Sequence, residues 1–311
     1  MLIICTGASG LVGWNFVNQA LERGHKVVAL YDRLALPERK NLTSVRCDLR
    51  DTNAVQRMVL DMFPDAIVNC AAISSPAVVD KNVDLAKKLN IDLPERLAQM
   101  AFHVSARFLH LSTDMVFDGT KAPYIFTDMP MPFNLYGQMK LIAEKKVLAA
   151  AAKNSVVLRI THVCGNGLAG NRSLNEKHFI AWASGQKIDA PVNDIRKPSS
   201  ARNIADVLVE LCERTSITGI HHFCGSESLS RYDIARRICE HFSLDVNEFV
   251  NKTELKSPVD LSLDCFDLYG KIKTRPLEFD EILSEMKVPP SCENWYFEKT
   301  GKRAVKRYKI D

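Results

Sequence analysis

Thr6-Gly7-Ala8-Ser9-Gly10-Leu11-Val12-Gly13 follows the apolar run Leu2–Thr6 and opens the stretch Leu11–Arg23, where Val12, Phe16, Val17, Ala20 and Leu21 recur at helical spacing. Strand, glycine turn and amphipathic helix in that order are the start of a dinucleotide-binding βαβ unit. One glycine makes the bend, one lets the backbone approach a pyrophosphate, and one lets helix and strand pack closely. The helix N-terminus adds amide donors and a partial positive charge for the anion. Spacing alone does not discriminate, because Gly165-x-Gly167-x-x-Gly170 also fits a dinucleotide pattern after a strand. There Asn171, Arg172, Ser173 and Asn175 are polar where a first helical turn would pack on a sheet, and the next strand, Lys187–Ala190, is cut short by Pro191. That segment reads as a loop beside the substrate.

Outward from the first turn, the second strand ends at Asp32, whose carboxylate can accept from an adenosine ribose, while Arg33 can meet a 2′-phosphate. Both NAD and NADP therefore stay open. Asp48 and Leu49, after Val45-Arg46-Cys47, are placed toward the adenine, with a helix cap before Asn53 an equal alternative for Asp48. Cys70, Ala71 and Ala72 offer small side chains either for passage of a cofactor or for close packing.

Strand-like runs at Leu2–Thr6, Lys26–Tyr31, Ala66–Cys70, Arg107–Leu111, Val156–Ile160 and Gly219–Phe223 alternate in the first half with helical patterns at Leu11–Arg23, Asn53–Met62, Asp84–His103 and Tyr136–Ala152. Pro94 kinks the third of these helices or starts a second one. The expected fold is α/β, a doubly wound parallel sheet of the Rossmann type with a smaller, interwoven C-terminal substrate domain. Residues 1–160 form the dinucleotide-binding domain. Residues 161–311, with helices at Ser199–Glu213, Arg231–Phe242 and Phe279–Met286, mainly bind substrate and return one strand and one helix to the sheet.

The chain has 311 residues, 46% hydrophobic and 25% charged, which excludes the disordered and membrane-embedded classes. Its net charge of +4 is weak for nucleic-acid binding. Much of the excess sits in Lys299, Lys302, Arg303, Lys306, Arg307 and Lys309, read as a solvated face. Nine cysteines without a Cys-x-x-Cys pair argue against a disulfide framework or zinc ribbon. No targeting signal or membrane-length apolar run is visible, so the expectation is a cytoplasmic protein without membrane or nucleic-acid partners.

Tyr136 and Lys140 lie one helical turn apart, where an ammonium can stabilise a phenolate and lower the tyrosine pKa. The bare spacing recurs at Tyr269 and Lys273, but the first pair follows Ser112-Thr113-Asp114 at the carboxyl end of a strand, where ligands bind in parallel sheets. Three groups, Thr113, Tyr136 and Lys140, converge there. His221-His222 sits in a strand with its members facing opposite sides, and neither metal-ligand spacing nor a Gly-x-Ser-x-Gly elbow occurs. Trp182, Trp295 and Phe297 read as core or interface residues.

Taken together, the glycine turn, the Ser112-Thr113-Asp114 strand end and Tyr136-x-x-x-Lys140 resemble the extended short-chain dehydrogenase/reductases. Within these, Ser112–Lys121, Pro132–Lys140, Leu158-Arg159, Val163-x-Gly165, Tyr232-x-x-Ala235 and Thr274–Leu277 are similar to the dTDP-4-dehydrorhamnose reductases over nearly the whole chain. The resemblance implies a sugar-nucleotide substrate and reduction of its 4-keto group. Tyr136 would donate the proton, Lys140 would hold the nicotinamide ribose and lower the tyrosine pKa, and Thr113 would bond the carbonyl. It also places Met115 and His162 toward the substrate, at positions where the family carries aromatics, with Cys164 for a second tyrosine. Arg275 would clamp a diphosphate, and Asn90 falls near a structural asparagine, although a solvated helix residue is the commoner case. Alternatives are a non-catalytic regulatory subunit similar to the β subunit of methionine adenosyltransferase, and an epimerase or dehydratase of the same superfamily. A homodimer is an open alternative for the assembly.

Overall fold

The computed structural model describes residues 1–304, so Lys306, Arg307 and Lys309 of the basic tail lie outside the described residues. In chain order the first half runs β1 (Leu2–Thr6), α1 (Leu11–Glu22), β2 (Lys26–Tyr31), β3 (Leu42–Arg46), α2 (Thr52–Met62), β4 (Ala66–Asn69), α3 (Pro76–Lys81), α4 (Val83–Lys87), α5 (Leu93–His103), β5 (Arg107–Thr113), α6 (Leu135–Ala151) and β6 (Ser155–Ile160). There follow β7 (Val163–Cys164), α7 (Leu174–Ala183), β8 (Ile188–Pro191), β9 (Asp194–Arg196), β10 (Ser199–Ser200), α8 (Ala201–Glu213), β11 (Gly219–His222), β12 (Leu229–Ser230) and α9 (Arg231–His241). The chain continues through α10 (Val246–Phe249), β13 (Val250–Thr253), β14 (Val259–Asp260), α11 (Phe279–Glu285) and α12 (Glu293–Thr300).

Seven strands form a parallel sheet in the order β11-β6-β5-β4-β1-β2-β3. The chain builds outward from β1 to β3, then crosses back to β4 and builds the other way. The crevice at the carboxyl ends of β1 and β4 is thus the topological switch point, where such sheets take their ligands. Alternation along β1 sends Ile3 and Cys5 to a core shared with Phe16, Val17, Ile204 and Leu208, and Ile4 to the opposite core with Val59, Leu97 and Val147. A third, aromatic-rich core lies among the later elements, with Phe179, Trp182, Phe242, Phe249 and Tyr296. Trp182 is buried there, whereas Phe297 is half-exposed.

Several elements differ from expectation, each for a local reason. β3 is a seventh strand that the sequence reading did not include. As a sheet edge it carries exposed Thr43 and Ser44 in place of an apolar run. The helix expected over Asp84–His103 is interrupted by a π-helical turn at Lys88–Asp92. Pro94, just after it, has no N–H for the Asn90 carbonyl, and the wider turn accommodates that loss. Asn90 is fully buried rather than solvated: its Oδ1 accepts from the Ile73 N–H at 2.9 Å and its Nδ2 donates to the Ile73 carbonyl at 3.0 Å. Pro191 does not cut β8 short, because the strand includes it and pairs in parallel with β13. The helix expected from Ser199 starts at Ala201; Ser199 and Ser200 pair with β7, and the Ser200 hydroxyl caps α8 by accepting from the Asn203 N–H.

His222 accepts its place in the core beside Arg159 and the Tyr124 carbonyl, while His221 bonds Asp267 at 2.7 Å. No disulfide joins the cysteines among the described residues. No helix among the described residues is long and apolar enough to cross a membrane.

Candidate active site

The turn after β1 is built by close backbone approach. Gly7 has φ +63°, and a Cβ there would stand 2.7 Å from the Ala71 nitrogen; a Cβ on Gly13 would overlap the Gly7 carbonyl oxygen. Ala8 donates to the Leu30 carbonyl and Gly10 to that of Gly7, fixing the bend between β1 and β2. Gly10 is the N-cap of α1 and has no side chain, and the first turn carries no acidic residue. The opening amides of α1, beside Ser9, Leu11 and Val12, therefore meet no side-chain acceptor among the described residues. That is the arrangement an anion fits. Cys70 and Ala71 line the turn from the end of β4, and Ala72 continues outward into exposure.

At the far end of β2, Asp32 and Arg33 are both exposed and form an ion pair at 3.3 Å. Asp48 is committed to Arg50: its carboxylate takes both the Arg50 backbone N–H and a forked guanidinium contact, which hold the carboxyl down to about 2. It is not the cap of α2, since Asp51 accepts from the Ala54 N–H in that role. Leu49 is half-buried against the core.

Thr113 ends β5 and Tyr136 opens α6, whose N-cap Asn134 accepts from the Gly137 N–H at 2.7 Å. Gly137 is required for this meeting, because any Cβ on it would overlap the Met115 carbonyl oxygen. Thr113 and Tyr136 are both buried, and the Thr113 hydroxyl donates to Asp114 Oδ1 at 3.0 Å while accepting from the Met115 N–H. Burial and then the nearby Asp114 push the Tyr136 phenol up, with the Thr113 hydroxyl opposing. The expectation that Lys140 lowers the tyrosine pKa is thus not met in this structure. Lys140 is turned to His110, with Nζ 3.0 Å from Nε2. Its own pKa is lowered to about 8 by burial, opposed by Glu144 and Cys70.

Two buried networks that the sequence reading did not contain support the trio. Parallel register sets Thr6, Asn69 and His110 side by side across β1, β4 and β5. Thr6 Oγ1 donates to Asn69 Oδ1 at 2.6 Å, and Asn69 Nδ2 lies 3.0 Å from His110 Nδ1. One turn beyond Lys140, Glu144 takes two bonds from Arg159, at 2.9 and 2.7 Å, and one from Ser112. Both members of this ion pair are about 1% exposed, so each depends on the other and on its hydrogen bonds. The traceable signal was Arg159 inside an apolar strand, together with Glu144 on the Lys140 face of the helix.

Around Asp114, His162 and Arg196 the polar groups are less complete. Asp114 Oδ2, His162 Nδ1, His178 Nδ1 and Arg196 Nε are buried without a hydrogen-bond partner among the described residues. Arg196 pairs with Asp194 at 2.9 Å, and Arg231 stands 3.7 Å from the same carboxylate. Burial raises Asp114 to about 6, with Arg196 opposing, and lowers His178 to about 3. Burial and the surrounding cations also hold His162 well below the usual histidine range. A mixture of unpaired donors and acceptors suits a polyhydroxylated ligand. Met115 is half-buried beside this region, 3.7 Å from Asn134 Nδ2. Arg275 is not brought to it: the guanidinium is exposed and forked onto Glu281, with a further bond to the Pro276 carbonyl.

The second glycine segment, Gly165 to Gly170, has its amides filled from within. Gly165 N–H donates to Asn175 Oδ1 at 2.8 Å, Gly167 N–H to Glu176 Oε1 at 2.7 Å, and the Arg172 and Ser173 N–H groups to Glu176 Oε2.

A model of the RmlD substrate binding domain family matches residues 1–263. Among characterised proteins, the chain is 31% identical over 286 residues to methionine adenosyltransferase 2 subunit beta of Bos taurus, covering 85% of this chain and 80% of that one. It is 31% identical over 245 residues to dTDP-4-dehydrorhamnose reductase of Mycolicibacterium smegmatis, covering 78% and 70%. Among solved structures, it is similar to a dTDP-4-dehydrorhamnose reductase from Clostridium acetobutylicum, with TM-score 0.79, 25% identity and coverage of 92% and 98%. Its fold also matches that of the Bacillus anthracis reductase solved with NADP, with TM-score 0.77, 21% identity and coverage of 91% and 95%.

Proposed function

The chain belongs to the RmlD substrate binding domain family, and on that premise we propose that it is an NAD(P)H-dependent reductase of a 4-keto sugar nucleotide. The observation that carries this reading is the burial of Thr113 at the carboxyl end of β5 together with Tyr136 and Lys140 one turn apart on α6, with the glycine turn across the switch point. Gly7, Ser9, Gly10 and Gly13 would hold the dinucleotide pyrophosphate against the open amides of α1, with Leu11 and Val12 in the first helical turn. Asp32 would take the adenosine ribose and Arg33 a 2′-phosphate. A reduced nicotinamide bound there supplies a hydride for the substrate carbonyl.

Thr113 would hold that carbonyl through its hydroxyl. Tyr136, kept as a neutral phenol by burial and by Asp114, would give its proton to the carbonyl oxygen as the alcohol forms. Lys140 would bond the nicotinamide ribose. Met115, His162, His178 and Arg196 would face the sugar, whose hydroxyls both donate and accept and so suit the unpaired atoms found there. In this reading residues 1–160 chiefly carry the cofactor and residues 161–311 chiefly the substrate.

The test is a panel of 4-keto sugar nucleotides with NADH and NADPH, followed by nicotinamide absorbance. At least one pair is consumed, and Tyr136→Phe slows it by about 10³-fold. Cofactor binding without oxidation by any sugar overturns the proposal. A second reading, a regulatory subunit, is favoured by the similarity to methionine adenosyltransferase 2 subunit beta and by Met115 in place of an aromatic. It predicts stable co-purification with a methionine adenosyltransferase and no effect of Tyr136→Phe on that complex.

A further inference from the structure

The hydrogen bonds around His110 have a direction that can be read from one fixed donor. The Ala71 backbone N–H donates to Asn69 Oδ1 at 3.3 Å, and the Thr6 hydroxyl donates to the same oxygen at 2.6 Å. A backbone N–H cannot accept, so the Asn69 amide is oriented with its oxygen toward Ala71 and its nitrogen toward His110. Asn69 Nδ2 therefore donates to His110 Nδ1 over 3.0 Å. Burial holds His110 well below the usual histidine range, so the ring is neutral, and with Nδ1 accepting from Asn69 its one proton sits on Nε2. That N–H points at Lys140 Nζ, 3.0 Å away. An ammonium there would set donor against donor; only a free amine can accept.

We infer that His110 and Asn69 act as positioning residues that favour the free amine of Lys140 over its ammonium, and that they tie its charge to the Ala71 amide at the dinucleotide turn. Protonation would run through the whole chain of bonds. Nζ gains one proton from water, and the ring proton is lost from Nε2 while one is taken up on Nδ1. The network gains one proton in all. Asn69 must then turn its oxygen to the Nδ1–H, which withdraws it from the Ala71 N–H. Ala71 is the residue whose nitrogen would lie 2.7 Å from a Cβ on Gly7, so the movement reaches the phosphate-binding bend. The groups facing Lys140 are His110 from β5, Cys70 after β4, and Glu144 from its own helix, the last paired with Arg159 of β6. Glu144 and Cys70 favour the ammonium, and burial opposes them.

The consequence for catalysis rests on the reductase reading, but the tautomer does not, and the test separates them. The 311-residue chain, labelled with ¹⁵N and ¹³C and without cofactor, is titrated by NMR across the neutral to alkaline range. The expected result is a His110 ring protonated on Nε2 above the Lys140 midpoint, with that midpoint near 8 at the lysine Cε. The Ala71 amide resonance should move with the same midpoint. Asn69→Asp, whose carboxylate can only accept, should reverse the ring to Nδ1–H and raise the lysine proton affinity at least tenfold. A ring protonated on Nδ1 throughout, or Lys140 titrating in the ordinary lysine range, overturns the inference. Failure to oxidise NADPH with any keto sugar overturns only the reductase reading.

Discussion

The two glycine segments of this chain have similar spacing and opposite fates. At Gly7–Gly13 the opening amides of α1 meet no side chain. At Gly165–Gly170 the loop amides are taken by Asn175 and Glu176, and Ser173 and Glu176 close a capping box on α7. Glu176, fully buried, does for the second loop what a bound phosphate would do for the first. The difference teaches that a glycine turn is left open to an anion less by its glycines than by the lack of an internal carboxylate within the following helical turn. In this sequence the contrast is Gly13 at the third position of α1 against Glu176 at the third position of α7.

This contrast can be broken in four ways. The largest effect is expected from Gly13→Ala, whose Cβ overlaps the Gly7 carbonyl: NADPH affinity by calorimetry should fall about 1000-fold, about 4 kcal/mol. Gly167→Ala, with its nearest contact 3.2 Å away at Glu176 Oε2, should leave that affinity within about twofold. Next, Glu176→Ala strands several buried amides and should cost about 3 kcal/mol in urea unfolding without altering NADPH affinity. Equal loss of affinity in both loops would erase the distinction.

A third test contrasts Glu176, whose carboxylate has its donors, with Asp114, whose Oδ2 has none. Raising the folded pKa of Asp114 from 3.8 to about 6 means that the native state binds the extra proton in that interval. Stability contributed by the protonated form is present below about 4 and is lost as pH rises to about 6, a decline of about 3 kcal/mol that Asp114→Asn should remove. The smallest effect is assigned to the exposed Arg33. Arg33→Ala should weaken NADPH about fivefold and leave NADH unchanged, about 1 kcal/mol of discrimination.

The legible parts of the molecule were those where chemistry and periodicity coincide along the chain. The glycine turn, the alternation of apolar runs and helices, and the Tyr136-x-x-x-Lys140 helix needed no distant information. β3 was missed because an edge strand with Thr43 and Ser44 exposed has no apolar signature. Asn90 looked like a solvated helix residue because its partner, Ile73, lies 17 positions away across a crossover. Lys140 showed the subtler limit: helical spacing allowed it to face Tyr136, and only the sheet register that brings His110 beneath it decided its actual partner. Arg275 was drawn to a phosphate by resemblance, but Glu281 six residues later already satisfies its fork.

The central claim is that Tyr136 and the β1 turn serve one hydride transfer to a sugar ketone. It is tested most directly by incubating the protein with NADPH deuterated at the nicotinamide C4 position and the 4-keto sugar nucleotide panel, with products read by mass spectrometry. The account predicts a 4-hydroxy sugar nucleotide carrying the deuterium, formed by the wild type and lost in Tyr136→Phe. Deuterated cofactor that binds with ordinary affinity yet passes its label to no sugar would contradict it.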